Sequence, residues 1–181
     1  MQRIRATTVL GLIRDGRAAI AADGQVTAGG TILKSTARKI RRLSGGKVLA
    51  GFAGGAADAL QLFERFEKSL QGHGGNLRRA AVEVARFWRT DRALRRLDAQ
   101  LLVLDREQLF VLSGNGDLVE PDEWVLAVGS GAGYAIGIAR ALLRHTDLPV
   151  DRIAREALHG AAEICIYTGG EIQILQLPED S

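Results

Sequence analysis

The chain has 181 residues, 46% hydrophobic and 25% charged, a balance that excludes an intrinsically disordered protein and suffices for one domain with a sizeable core. A membrane span and a signal peptide are excluded on the same ground, since Arg14, Asp15 and Arg17 interrupt the first apolar run and no later run reaches about 18 uncharged residues. Formal net charge is +3, with Arg3 and Arg5 lying ahead of the first apolar run, too slight an excess to imply a nucleic-acid partner; the single cysteine, Cys165, rules out an internal disulfide and fits a reducing cytoplasm.

Residues 7–14 (TTVLGLIR) read as a strand opened by the β-branched pair Thr7-Thr8. Asp15-Gly16 reads as a tight hairpin turn and 17–23 (RAAIAAD) as the return strand. A loop through Gly29-Gly30 leads to a short strand at 31–34 (TILK). Residues 39–43 (KIRRL) and 47–53 (KVLAGFA) flank Ser44-Gly45-Gly46, a second hairpin signal, so the first third reads as an antiparallel meander. A helix follows over 56–71, with Ala59, Leu60, Phe63, Phe66 and Leu70 at helical spacing. Asn76 is a candidate N-cap for a second helix, with Leu77, Ala80, Ala81, Val84 and Trp88 inward and a basic continuation to about Leu97. Strands resume at 99–105, 108–113, 118–120 and 124–128. Helices at 133–145 and 150–163 come next, the second with the stripe Val150, Ile153, Ala154, Ala157, Leu158 and Ala161. An apolar run at 164–167 (ICIY), a turn at Gly169-Gly170 and a strand at 171–177 end the chain. Strands cluster and helices come in pairs, which argues against alternating βαβ units. Two packed antiparallel sheets with a helix pair on each outer face would bury every stripe.

Several strings resemble chemical motifs. GSGAGY (129–134) follows a strand and opens a helix, as a dinucleotide loop does, but Tyr134 stands at the final glycine position and no βαβ unit follows. Gly46-Lys47 lacks the rest of a phosphate loop, and Ser130 lacks the outer glycine of a nucleophile elbow, Val128 standing there. Cys165 reads as a buried core thiol. His73, His145 and His159 have no metal-ligand spacing. In the run Arg38–Arg42, strand alternation puts Lys39 and Arg41 on one face, away from Arg38, Ile40 and Arg42; phosphate binding and a solvated basic face both remain open for it.

These segments together resemble the HslV family, bacterial proteasome-like peptidase subunits. The resemblance is carried by TTV (7–9), DGQVT (23–27), ARKIRRL (37–43), KVLAGFAGGAADALQLFERFE (47–67), FWRTDRALRRL (87–97), SGNGD (113–117), AVGSGAGYA (127–135) and EICIYT (163–168), in order along nearly the whole chain. It implies an α+β fold, the four-layer αββα sandwich of an N-terminal nucleophile hydrolase, in agreement with the element order. It also implies a removable leader, Met1–Ala6, ahead of a single peptidase domain, 7–181.

The resemblance implies the site residues as well. Thr7 would be the nucleophile, its freed amine serving as the base, with Thr8 the rival nucleophile. Lys39 would sit beside Thr7, Asp23 would hold Lys39, Ser130 would hydrogen-bond near the Thr7 amine, and the Gly51 N–H would face the oxyanion. A sodium ion would be held by Ala162, Cys165 and Thr168, largely through main-chain carbonyls; Ala162 stands where a glycine is commoner, and GSGAGYA departs from the commoner GSGG. The implied partners are further copies in two stacked hexameric rings, the AAA+ ATPase HslU, and unfolded protein substrates. The chain has no nucleotide site of its own. A non-catalytic ring subunit of the same fold and a glycine-loop nucleotide-binding module are the competing readings.

Overall fold

The computed structural model describes residues 4–5, 7–91 and 99–178. The elements in chain order are β1 (Ile4–Arg5), β2 (Thr8–Arg14), β3 (Arg17–Asp23), β4 (Val26–Ala28), β5 (Thr31–Lys34), β6 (Ile40–Leu43), β7 (Val48–Ala53), α1 (Ala56–Gly72), α2 (Leu77–Thr90), β8 (Gln100–Leu104), β9 (Leu109–Ser113), β10 (Leu118–Val119), β11 (Val125–Gly129), α3 (Ala132–His145), α4 (Val150–Ile164) and β12 (Ile172–Leu177). One sheet has the order β11-β2-β3-β12 and a second β10-β9-β8-β7-β6; β1, β4 and β5 form a small third sheet with β4 in the middle. Every recorded strand pair is antiparallel.

The two large sheets face each other across a layer that includes Val9, Ile20, Leu49, Leu102 and Leu109. The helices α1 and α2 cover the outer face of the second sheet with Phe66 and Trp88 against Phe52, Leu101 and Phe110. On the other side, α3 and α4 cover the first sheet, Ile153 and Leu158 meeting Leu10, Leu12 and Ala21. The result is four layers, αββα. Strands β2 and β3 are buried on both faces, which is why they read as near-continuous apolar runs rather than as alternating ones. At the hairpin between them, Asp15 and Gly16 both have positive φ, 52° and 70°, the turn that an Asp-Gly pair favours.

Most expected elements lie within a residue or two of their places, and the exceptions have local causes. The first third is not one meander: β2–β3, β4–β5 and β6–β7 each pair as a hairpin, but in three different sheets. Hairpin signals specify the partner across a turn and say nothing about which sheet it joins. Strand β4, expected as loop, forms within that arrangement. On α1 the buried side chains are Leu62, Phe63, Phe66 and Leu70, whereas Leu60 is 45% exposed; it lies one position off the stripe that Leu62 and Phe66 define. The side chain of Ala59 lies outside those described. Helix α2 ends at Thr90 with Asp91 as C-cap, and the expected continuation to Leu97 falls on residues outside the described ones. Ile164 ends α4, and the rest of the apolar run lies in the turn region 165–170 that leads to β12. No helix of the described residues is long and apolar enough to cross a membrane.

Asn76 caps α2 as its sequence position suggests, its side-chain oxygen accepting from the Arg79 N–H at 2.9 Å. Asn76→Ala leaves that N–H without its side-chain partner, and urea denaturation is expected to show a loss of about 1 kcal/mol.

Candidate active site

Antiparallel register brings four strand ends together. Ala22, next to the end of β3, pairs with Val9 near the start of β2. Gly129 at the end of β11 pairs with Thr8, and Ile172 at the start of β12 pairs with Asp23. The α4–β12 loop and the start of β6 reach the same corner through side chains. Thr7 and Thr8 therefore sit at the edge of the buried region with one loop on either side, and both are buried.

Asp23 is the hub. Its carboxylate is fully buried. Oδ1 accepts from the Thr8 N–H at 2.7 Å and from the Lys39 ammonium at 3.0 Å. Oδ2 accepts from the Gln25 N–H at 2.9 Å and the Gly169 N–H at 3.0 Å. A buried carboxylate is tolerable when its oxygens are satisfied in this way and a counter-charge is present. Lys39 also donates to the Gln25 carbonyl at 2.6 Å. Burial pushes the Lys39 pKa below its ordinary 10.5, and the charge and hydrogen bond of Asp23 push part of the way back. One carboxylate oxygen thus joins the Lys39 ammonium to the Thr8 amide, the peptide group immediately after the Thr7 side chain.

The expected sharing of a face by Lys39 and Arg41 does not hold. Lys39 turns into this site, while Arg41 is exposed with its guanidinium 5.2 Å from the centre of the Phe63 ring. Lys39 precedes the first paired residue of β6, Ile40, so its direction follows the carboxylate rather than the pleat.

Ser130 is recorded beside Thr7 through its backbone: its N–H donates to the Thr7 carbonyl at 2.9 Å. The preceding Gly129 has φ +95°, and a Cβ there would lie 1.8 Å from that carbonyl oxygen. Gly131 is required for space, since a Cβ would come within 2.6 Å of the Thr8 hydroxyl and 2.5 Å of the Thr168 hydroxyl. The glycines of the GSGAGY string therefore make room for threonine carbonyl and hydroxyl groups, which removes the ground for reading them as a nucleotide loop.

Gly51 does not occupy the expected position. It lies within β7, paired with Ile40 of β6 on one side and Leu102 of β8 on the other, so its backbone belongs to the ladder. Its missing side chain serves sheet packing, a Cβ coming 2.5 Å from Val9 Cγ1 and 2.9 Å from Ile20 Cδ1. The exposed glycines at this end of the strand are Gly54 and Gly55, which follow β7 and precede α1. The next-door residue Ala53 pairs with Gln100, whose side chain accepts from the Gly129 N–H at 3.4 Å, which puts them at the Thr7 corner.

Thr8 is not available as a nucleophile. Its hydroxyl is fully buried, accepts from the Gly131 N–H at 2.9 Å and lies 2.7 Å from the Thr168 hydroxyl. Of the expected cation ligands, Ala162 lies in the last turn of α4, Cys165 caps it, and Thr168 follows in the turn, with the Thr168 N–H bonded to the Cys165 carbonyl at 2.9 Å. Cys165 is buried, as read. Gln25 was not singled out by the sequence. Besides its backbone bonds to Asp23 and Lys39, its amide donates to the Ile166 carbonyl and to Thr27, both at 3.0 Å. Its place in DGQVT, two residues after the acid, was the available signal.

A model of the family described as proteasome subunit matches residues 4–177. The chain is 57% identical over 181 residues to an ATP-dependent protease subunit HslV of Anaeromyxobacter sp. (strain Fw109-5), covering 98% of this chain and 100% of that one. The chain belongs to the HslV family of proteasome-type subunits. It is 55% identical over 173 residues to the HslV subunit of Pseudothermotoga lettingae, covering 96% of this chain and 98% of the relative. The crystal structure of HslV from Trypanosoma brucei superposes with a TM-score of 0.88 at 37% identity, covering 93% of this chain and 98% of that one. The αββα arrangement is thus the N-terminal nucleophile hydrolase sandwich, and membership of this family makes the chain a threonine peptidase, the proteolytic subunit of an ATP-dependent protease.

The Lys39 shift has a signed consequence. With its pKa lowered on folding, Lys39 binds fewer protons in the folded than in the unfolded chain between its folded pKa and 10.5, so in that window this group makes stability rise with pH. Asp23→Asn removes the charge that raises the Lys39 pKa and widens the window downwards. The variant's stability deficit, measured by urea denaturation, is expected to be largest near neutral pH and to shrink as pH approaches 10.5.

Proposed function

We propose that Thr7, freed at its amino group by removal of Met1–Ala6, is the nucleophile of this threonine endopeptidase, with Lys39 and Asp23 as its ionic support. The observation that carries this reading is the buried Asp23 carboxylate bonded at one oxygen to both Lys39 and the Thr8 amide.

The chemistry follows from the groups present. A threonine hydroxyl is a weak nucleophile near neutral pH and needs an adjacent base. A free α-amine, with an unperturbed pKa of about 7.7–8.0, can take its proton directly or through one water. While Ala6 precedes it, the Thr7 nitrogen is an amide and no base, so cleavage after Ala6 creates the catalyst. The Lys39 ammonium favours the neutral amine by like-charge repulsion and stabilises alkoxide character at the hydroxyl. The Thr7 oxygen bonds to the scissile carbonyl carbon, and the carbonyl π pair moves to oxygen. Collapse of the tetrahedral adduct expels the amine product, which takes the proton from the α-amine. Water then hydrolyses the Thr7 ester by the same steps and restores the hydroxyl. In place of Gly51, the N–H groups at Gly54-Gly55 are the candidates for facing the oxyanion, since they lie past the end of the β7 ladder at the Thr7 corner. The N–H of Ser130, bonded to the Thr7 carbonyl, orients the nucleophile's own backbone.

The substrates are unfolded proteins delivered by a separate ATPase of the HslU type, and the working form is a ring assembly, two stacked hexamers, in the cytoplasm. Enclosure suits a peptidase of broad preference, which would otherwise attack native proteins. A sodium ion suits Ala162, Cys165 and Thr168: they lie together at and just past the C-terminal end of α4, where main-chain carbonyls, each with two lone pairs, supply hard oxygen donors and the helix end carries partial negative charge. Bound there, a cation would neutralise that end and stiffen the turn.

Intact-mass measurement of the purified protein is expected to show loss of Met1–Ala6 and a new N-terminus at Thr7. Thr7→Ala is expected to keep the leader and to lose peptide hydrolysis in the presence of the ATPase and ATP, a drop of at least about 10³-fold. Activity surviving in that variant would remove Thr7 from the role.

A further inference from the structure

We propose that Thr8 is a positioning residue for hydrolysis, acting through its hydroxyl bridge to Thr168; the proposal rests on Thr7 being the nucleophile. Its starting point is that neither shape nor strand propensity requires a hydroxyl at position 8, for the β-branched valine would serve both. A hydroxyl in a fully buried position is unfavourable unless its hydrogen bonds are made, and here they are. Thr8 Oγ1 accepts from the Gly131 N–H at 2.9 Å and lies 2.7 Å from Thr168 Oγ1. Both side chains are buried, Thr8 at 0% and Thr168 at 4% exposure.

The bridge has three features that tie it to the nucleophile. It is one residue from Thr7. It grips Gly131, next to Ser130, whose N–H holds the Thr7 carbonyl at 2.9 Å. And it anchors the α4–β12 loop, which already bonds Asp23 through the Gly169 N–H and Gln25 through the Ile166 carbonyl. The Thr8 hydroxyl is thus where the nucleophile's strand, the β11–α3 loop and the α4–β12 loop meet. Gly131 is shaped for it, a Cβ there being 2.6 Å from one hydroxyl and 2.5 Å from the other. Without the bridge the α4–β12 loop keeps its bonds to Asp23 and Gln25, so the site stays assembled while Thr7 loses a restraint on its position.

The test uses the assembled protease with its ATPase and a peptide substrate, on protein whose Thr7 N-terminus has been verified by intact mass. Thr8→Val and Thr168→Val are each expected to lower kcat about tenfold to a hundredfold, the scale of a small misplacement of a reacting group. KM is expected to stay within about twofold, because the bridge touches no substrate. Thr8→Ser restores the hydroxyl and is expected to recover kcat to within about threefold. Since the two residues act as one bridge, the double Val variant is expected to be no slower than the slower single variant. Unchanged kcat in Thr8→Val, failure of Thr8→Ser to recover activity, or losses that multiply in the double variant would each overturn the proposal. If Thr8→Val does not fold, Thr168→Val and Thr168→Ser test it from the other end, with the same loss and the same recovery expected. Activity in Thr7→Ala overturns the nucleophile assignment, a result distinct from any of these.

Discussion

A carboxylate with no solvent exposure sits where four chain segments meet, and the candidate site is arranged around its needs. Asp23 is at the end of β3, and its two oxygens take an N–H from β2, an ammonium from the start of β6, an N–H from its own turn and an N–H from the loop before β12. A buried charge of this kind is costly if any partner is missing. The same set of bonds therefore stabilises the corner and determines its geometry: Lys39 is drawn inward because the charge is there, and the Thr7-Thr8 strand is held by its amide. The mutual dependence also explains the Lys39 pKa. Burial lowers it, and the pair with Asp23 keeps the cation tolerable in a buried place.

Why this carboxylate finds its partners is a matter of sheet register. In an antiparallel hairpin the start of one strand lies beside the end of the next, so Asp23 meets Thr8 across the β2–β3 pair. The outer strands repeat the pattern, Gly129 meeting Thr8 and Ile172 meeting Asp23. The loops that follow β11 and precede β12 then have no choice but to flank the same corner. Glycine appears in both loops because backbone comes very close to side-chain oxygens there: Gly131 against the Thr8 and Thr168 hydroxyls, Gly169 against Gln25 and Asp23. Helices α3 and α4 back this sheet with small residues, Ala139, Ala154, Ala157 and Ala161 among them, and so hold the loops at their ends in place.

Much of this was legible beforehand, and the parts that were not share a cause. The α4 stripe, the Asn76 cap and the Asp15-Gly16 turn depend on residues within one helical turn or one hairpin, and local sequence carries them. A stripe of five apolar residues on α1 admits two phases, and packing against Phe52 and Leu101 takes the one that leaves Leu60 exposed. A glycine in a family-like string, as at Gly51, says only that a side chain is unwelcome. Whether the reason is an approaching oxyanion or an approaching Val9 depends on the opposite sheet.

Local pattern, and the long strings shared with a known family, determined by themselves the element order, the four-layer class, and the identity of Thr7, Asp23 and Lys39 as the residues worth attention. Tertiary structure decided which backbone and which hydroxyls those residues meet. It turned Lys39 away from Arg41, returned Gly51 to the ladder, closed Thr8 off from any role as nucleophile, and brought Gln25, Gly131 and Thr168 into the corner. The physical reason is separation along the chain: the Thr8–Thr168 pair spans 160 positions and Thr8–Gly131 spans 123, and contacts of that range leave no periodic trace in the residues that make them.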